Sequence, residues 1–140
     1  MGTYLTCEEN FNNYFSSSDK NFKSTDELHR YGIRTREIGL NWAKADSRFD
    51  LSKEVNEPNK VGYVVEIDPL NPNSTPKKHT ALGRFKHENA ELVISKDGKI
   101  IVYMGDDERG EYLYKYVSNE SINEVKDKST LLSNGNLYVA

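Results

Sequence analysis

The stretch AELVISKDGKIIVYM, residues 90–104, decides the fold class of this chain. Two apolar and β-branched runs, 90–95 and 100–104, lie on either side of the polar tetrapeptide Lys96-Asp97-Gly98-Lys99. Apolar runs joined through an Asp-Gly pair are typical of a β-hairpin, and Asp-Gly favours a type I′ turn. We therefore expect two antiparallel strands here, connected by a type I′ turn.

Strand-like composition continues on both sides of this hairpin. Downstream, residues 111–117 and 136–140 each predict a strand, and upstream so do residues 2–7, 61–68 and 80–85. Pro69 and the Asn71-Pro72-Asn73 turn end the second of the upstream strands. The sequence therefore predicts a mainly all-β fold class.

Residues 11–60 interrupt this pattern and are predicted to form an insertion of loops and short helices. Ser24-Thr25-Asp26-Glu27 can cap a short helix that continues through Tyr31, and residues 40–44 predict a second one. Asn56-Glu57-Pro58-Asn59 then predicts a turn that closes the insertion.

A weak internal repeat suggests how the strands are grouped. Residues 3–10 resemble residues 101–108, since each is a strand that ends in an acidic cluster and is followed by an aromatic strand. Repeats of about 40–50 residues are typical of β-propeller blades, although an ordinary antiparallel meander would give the same periodicity. We predict one domain over residues 1–140, with blade-like units at approximately 1–95 and 90–140.

The number of predicted blades has a consequence for the sheet edges. A closed propeller has roughly 4–8 blades, and this chain supplies about two to three. As a partial β-propeller it should leave sheet edges exposed or cover them by self-association.

Composition excludes several classes of protein. The chain has 140 residues, 36% of them hydrophobic, and a net charge of -3 without a basic stripe, so we expect no nucleic-acid partner. No apolar run approaches the roughly 20 residues of a transmembrane helix. The first residues show no charged and apolar leader, so we expect no export signal in this sequence. Cys7 is the single cysteine, which excludes an internal disulfide.

Three polar segments at strand ends are candidate sites. The first is Cys7-Glu8-Glu9-Asn10, where adjacent carboxylates suit a hard cation such as calcium and a thiolate suits a softer transition metal. The second is the acidic segment 105–111, and the third is residues 84–89, in which His87 precedes Glu88. Each also has a structural interpretation: Cys7 as a small core residue, the acidic segments as solvated loops, and residues 84–89 as an exposed strand end.

Other catalytic motifs are missing from the sequence. His29 and His79 form no recognisable spacing with His87. The sequence contains no Gly-rich phosphate loop, no nucleophile elbow and no Cys-x-x-Cys pair, so the usual nucleotide, serine-hydrolase and zinc-ribbon functions have no support.

Longer strings within these segments resemble the PhoX family of secreted alkaline phosphatases. The resemblance runs in family order through GTYLTCEENFNNYF (2–15), DSRFD (46–50), NEPNKVGYVVEIDP (56–69), TALGRFKHENA (80–90) and VISKDGKIIVYMGDDERGEYLYKYV (93–117). It implies a six-bladed propeller whose central pocket holds several calcium ions and an iron pair and which hydrolyses phosphate monoesters in the periplasm or outside the cell.

The resemblance also implies roles for individual residues. Cys7 of the TCEEN motif is expected to be an iron ligand. The other expected metal ligands are carboxylates, namely Glu8, Glu9, Glu88 and Asp107, with Asp106 and Glu108 as reserves. Arg109 is a candidate phosphate contact, although an ion pair with a neighbouring acid is the alternative. The catalytic nucleophile is not identified.

Three hypotheses follow for the chain as a whole. The first is a segment of a phosphatase that is inactive alone and supplies part of a calcium and iron site. The second is a non-catalytic calcium-binding or protein-interaction β-propeller module. The third is a small protein that completes a propeller by oligomerising.

Overall fold

The computed structural model describes residues 2–140 and shows a mainly β chain. Its seven strands are β1 (Tyr4–Cys7), β2 (Val64–Ile67), β3 (Lys77–His79), β4 (Glu91–Ile94), β5 (Lys99–Gly105), β6 (Leu113–Ser121) and β7 (Gly135–Val139). Its α-helices are α1 (Asp26–Arg30) and α2 (Trp42–Ala45). Short 3-10 helices span Phe11–Tyr14, Ser47–Phe49, Glu57–Lys60, Thr80–Leu82 and Lys128–Thr130. The predicted all-β fold class is confirmed.

The strands form two antiparallel sheets, which is consistent with two blades of a partial β-propeller. One sheet has the order β1-β2-β3 and the other has the order β4-β5-β6-β7. Contacts within the chain define two compact units: the described residues up to Glu9 with Tyr63–Ala140, and Asn10–Gly62. The first unit contains both sheets, and the second matches the predicted insertion.

The core of the first unit follows from the alternation of side chains along the strands. In β5 every second residue is buried, so Ile100, Val102 and Met104 all project to one face. Val64 of β2 and Tyr116 of β6 belong to the same cluster. Fully burying an aliphatic side chain stabilises a fold by roughly 1.5–3 kcal/mol, so this cluster joins the two sheets into one unit.

The second unit has its own small core, formed by Phe11, Phe15, Ile33 and Leu51. Helix α1 begins after Thr25, whose Oγ1 accepts a hydrogen bond from the backbone N–H of Leu28 at 3.3 Å. The capped helix predicted for residues 24–31 is therefore confirmed. Among the described residues no helix has the length and apolar character needed to cross a membrane.

Two local predictions are wrong. Residues 80–85 do not form a strand: Thr80–Leu82 is a 3-10 helix that ends at Gly83, whose φ of 87° is incompatible with a strand. The strand β3 lies just before it instead, over Lys77–His79.

The turn of the central hairpin also differs from the prediction. The hairpin itself is present, with β4 paired to β5. A type I′ turn needs positive φ at both central residues, and in this turn only Gly98 has one, at 81°. The turn is closed by a hydrogen bond from the Gly98 N–H to the carbonyl of Ser95 at 2.9 Å. The central residues of this turn are Lys96 and Asp97, and Gly98 follows them with its positive φ, as in a three-residue hairpin loop.

Candidate metal and phosphate site

Cys7 ends strand β1 with its side chain on the core face of the sheet. In the sheet register Cys7 lies opposite Val64, and Val64 lies opposite His79, so all three side chains share one face. The thiol packs against the core cluster and is half-buried. Burial, and secondarily the charge of Glu9, raise the pKa of Cys7 above its ordinary value. A metal ion that binds this sulfur has to offset both effects.

Glu8 is held at the end of β1 by the neighbouring strands. Its backbone N–H donates to the carbonyl of Tyr63 at 3.1 Å, and its Oε2 accepts from the Tyr63 N–H at 3.0 Å. Its Oε1 lies 2.7 Å from the ammonium nitrogen of Lys78. The carboxylate already has a cationic partner, so a metal ion at Glu8 would share it with Lys78 or displace that lysine.

The second and third candidate segments meet in a short antiparallel ribbon, Lys86–Glu88 beside Gly105–Asp107. The ribbon is centred on a bridge between His87 and Asp106. The N–H of Glu88 donates to the carbonyl of Gly105 at 3.2 Å, and the N–H of Asp107 donates to the carbonyl of Lys86 at 3.0 Å. Since side chains alternate along extended backbone, His87 and Asp106 share one face, and Glu88 and Asp107 share the other.

Glu88 and Asp107 are therefore brought together. Both are exposed, and a cross-strand diagonal of this kind separates Cβ atoms by about 7–8 Å. A Cβ built on Gly105 would lie 3.7 Å from Oε2 of Glu88, so the Glu88 carboxylate lies over the open space that this glycine leaves. Two carboxylates at this spacing can ligate one hard cation with other oxygen ligands.

The imidazole of His87 is fully buried on the opposite face of this ribbon. It stacks on Phe85 with ring centroids 3.7 Å apart, and its Nε2 lies 3.2 Å from the carbonyl oxygen of Gly83. Burial lowers the pKa of His87 to about 4, against the opposing effects of the Gly83 carbonyl and the charge of Glu8. The charge of Glu8, at the end of β1, therefore acts on the imidazole of the ribbon.

The remaining predicted residues have other arrangements. Glu108 forms an ion pair with Lys86, and an oxygen of Asp106 accepts from the Lys86 N–H at 3.3 Å. Arg109 is exposed, and its backbone N–H donates to Oε1 of Glu108 at 3.1 Å. The roles of Asp106 and Glu108 as reserve ligands and of Arg109 as a phosphate contact stay predictions.

The donor atoms fit metal binding only in part. Within residues 2–140, no group of three or more His, Cys, Asp or Glu side chains converges as a metal site. The structure brings together Glu88 with Asp107, and Cys7 with Glu9, as pairs. The chemistry of the exposed carboxylate pair fits a calcium ion, and other ligands would have to complete its coordination. The roles predicted for Cys7, Glu8 and Glu9 are not tested by this geometry.

Sequence reasoning missed two residues of this region. Lys78 reaches Glu8 across 70 positions of sequence, and the Lys77-Lys78 pair resembles ordinary surface charge. His87 lies in the third candidate segment, but the sequence does not predict that its side chain is buried on the face of the ribbon opposite Glu88 and Asp107. The one local feature of the sequence that could indicate the burial of His87 is the aromatic Phe85 two positions before it.

Comparison with known proteins decides the family. The family model "Alkaline phosphatase PhoX" matches residues 1–140. This chain belongs to the PhoX family of alkaline phosphatases. The family resemblance seen in the sequence is thereby confirmed. The comparison with curated protein sequences found no significant match.

A solved PhoX structure also matches the chain. It is described as Pseudomonas fluorescens PhoX in complex with vanadate, a transition state analogue, and it is 53% identical with a TM-score of 0.90. The match covers 99% of this chain and 24% of that protein. The chain thus corresponds in sequence and fold to about a quarter of that PhoX protein.

Proposed function

We propose that this chain forms part of the metal-binding face of a PhoX phosphatase that hydrolyses phosphate monoesters with calcium and iron. The observation that carries the proposal is the ribbon, because it places the exposed carboxylates of Glu88 and Asp107 on one face in a chain of the PhoX family. The relative of similar fold binds vanadate, a transition state analogue. The family supports a periplasmic or secreted location.

Each part of the site has a chemical task in this proposal. A phosphate monoester dianion repels nucleophiles, and bound multivalent cations would neutralise its oxygens. Glu88 and Asp107 would hold a calcium ion at the open face of the ribbon, while Cys7 with Glu8 and Glu9 would supply ligands to iron. Arg109 is exposed, follows Asp107 by two residues, and would contact the phosphate oxygens. The rest of the phosphatase would supply the ligands that these residues lack.

The test uses the full-length phosphatase that contains these residues. Hydrolysis of an aryl phosphate is measured with calcium and iron supplied, in the unaltered enzyme and in the Glu88→Gln and Asp107→Asn variants. We expect each variant to lose at least tenfold in kcat/KM and to bind less calcium. Glu124→Gln is the matched control, because Glu124 is an exposed carboxylate outside the ribbon.

Two outcomes would contradict the proposal. A metal-replete, folded enzyme without turnover would favour the non-catalytic calcium-binding or interaction module instead. Variants of Glu88 and Asp107 that bind calcium as well as the Glu124→Gln control would remove the ribbon from the site. Iron content in a Cys7→Ser variant tests the thiol separately: an unchanged iron content would exclude Cys7 as a ligand.

A further inference from the structure

We propose that His87 is a positioning residue, which holds the ribbon so that Glu88 and Asp107 project correctly into the site. This inference rests on the proposed function of those two carboxylates and adds a role for a residue that does not itself contact metal or substrate.

The ring of His87 is fixed on two sides. Phe85 stacks on it at 3.7 Å, and Phe85 in turn stacks on Tyr114 of β6 at 4.4 Å. A carbonyl oxygen can only accept a hydrogen bond, so Nε2 carries the proton that is donated to the oxygen of Gly83, 3.2 Å away. Gly83 has no room for a side chain, since a Cβ there would lie 2.8 Å from Phe85. Phe85 therefore packs against both the imidazole ring and the residue that accepts its hydrogen bond.

The ribbon connects this ring to the carboxylates. Hydrogen bonds between Glu88 and Gly105 and between Asp107 and Lys86 flank the bridge between His87 and Asp106. A displacement of the His87 backbone therefore moves both strands of the ribbon together. Replacing a residue that orients a metal ligand without binding the metal itself typically changes metal affinity about 10–100-fold.

An imidazole is an unexpected choice if this position only fills space. Nδ1 of His87 is buried and has no hydrogen-bond partner among residues 2–140. Buried polar atoms without partners destabilise a fold, so phenylalanine would serve better for packing alone. The hydrogen bond from Nε2 to Gly83 is what the histidine provides and phenylalanine cannot.

The experiment compares three substitutions in the full-length phosphatase. His87→Phe keeps the stack and removes the donor, His87→Gln restores a donor at the distance of Nε2, and His87→Asn is too short to reach Gly83. Calcium binding is measured by equilibrium dialysis with calcium alone, and KM and kcat are measured with an aryl phosphate. Tyr116→Phe is the matched control, since it removes a buried hydrogen bond to the Leu131 carbonyl of the same unit.

We expect His87→Phe and His87→Asn to weaken calcium binding about tenfold and to raise KM, with His87→Gln recovering most of both. Tyr116→Phe should lower the melting temperature and leave calcium binding unchanged. The inference is overturned if His87→Phe and Tyr116→Phe behave alike. If His87→Phe does not fold, the other two variants provide the test. The inference is then overturned if His87→Gln binds calcium no more tightly than His87→Asn. An unaltered enzyme that binds no calcium overturns the proposed function, and the inference with it.

Discussion

At the scale of single residues, Gly135 is a position where the structure leaves no room for a side chain. A Cβ at this glycine would overlap the hydroxyl end of Tyr116 and the carbonyl oxygen of Val117. Tyr116 cannot retreat, because it is fully buried and its hydroxyl donates to the carbonyl of Leu131 at 2.8 Å. Gly135→Ala should therefore lower the free energy of unfolding by about 2–3 kcal/mol.

Urea unfolding followed by circular dichroism measures this loss. Gly110→Ala is the comparison, since Gly110 has a positive φ of 82° but open space around it. Its cost should be only about 1–2 kcal/mol of backbone strain. Equal losses of unfolding free energy in the two variants would show that the overlap with Tyr116 does not determine the cost of Gly135→Ala.

Asp50 governs how the second unit responds to acid. It is fully buried, and its Oδ1 accepts hydrogen bonds from the Ser18 N–H, the Ser52 N–H and the Ser52 hydroxyl. Burial raises the pKa of the Asp50 carboxyl, but the hydrogen bonds from Ser18 and Ser52 lower it by more, so the pKa lies well below its ordinary value. Asp50 thus favours the folded chain above the unfolded pKa of about 4.

This stabilisation is lost as the pH falls from about 4 toward the folded pKa. Asp50→Asn should cost about 1–3 kcal/mol at pH 7 and remove part of the stability loss between pH 5 and pH 2. The free energy of unfolding is measured with urea across that pH range. Glu54→Gln is the control, because Glu54 is an exposed carboxylate close to Asp50 in the sequence. An unchanged pH dependence in Asp50→Asn would contradict the assignment.

At the scale of elements, the pairing of β5 with β6 depends on one serine. The register shifts between Lys99, opposite Ser121, and Ile101, opposite Val117, so β6 contains extra residues in a bulge. Ser118 fills the gap: its Oγ accepts from the N–H of Ile100 at 2.9 Å and donates to the carbonyl of Glu120 at 2.7 Å. The side chain replaces a missing backbone partner.

Ser118→Ala should therefore destabilise the first unit by about 1–3 kcal/mol, because the buried N–H of Ile100 loses its acceptor. Amide hydrogen exchange should accelerate at Ile100 more than at Val102 of the same strand. Ser133→Ala, at an exposed serine, should change neither quantity. Protection at Ile100 that survives the substitution would exclude this role of Ser118.

The elements also show which parts of the fold the sequence encodes locally. Strand β5 is predicted because residues 100–104 form an apolar run directly after a turn signal that contains the Asp97-Gly98 pair. Strand β3 was missed because Lys77 and Lys78 are polar and become extended through pairing with β2. That pairing connects residues more than ten positions apart, which a local pattern does not contain.

The candidate site shows the same limit. Each acidic segment is visible in the sequence, and the family resemblance picks out Glu88 and Asp107. Their proximity depends on the bridge between His87 and Asp106, which joins segments 19 positions apart through backbone hydrogen bonds. Where each carboxylate lies and which carboxylate it faces depend on the tertiary fold. The sequence therefore predicts which side chains are candidate ligands, and the structure shows which of them lie together.

At the scale of the whole molecule, the sheet edges determine how the chain behaves alone. Among residues 2–140, strand β7 pairs with β6 on one side and has no strand on the other. Tyr138 and Val139 on this strand are 53% and 56% exposed. An exposed, apolar edge strand is a template for pairing with another chain, so the isolated 140-residue chain should self-associate.

A charge on this edge should oppose that association. Val139→Lys should reduce the weight-average mass measured by sedimentation equilibrium toward that of the monomer, since a lysine on an edge strand disfavours pairing. Val55→Lys is the matched control, because Val55 is 59% exposed and lies outside both sheets. Association that persists in Val139→Lys would assign the contact to another surface, and a monomeric parent chain at every concentration would exclude edge pairing altogether.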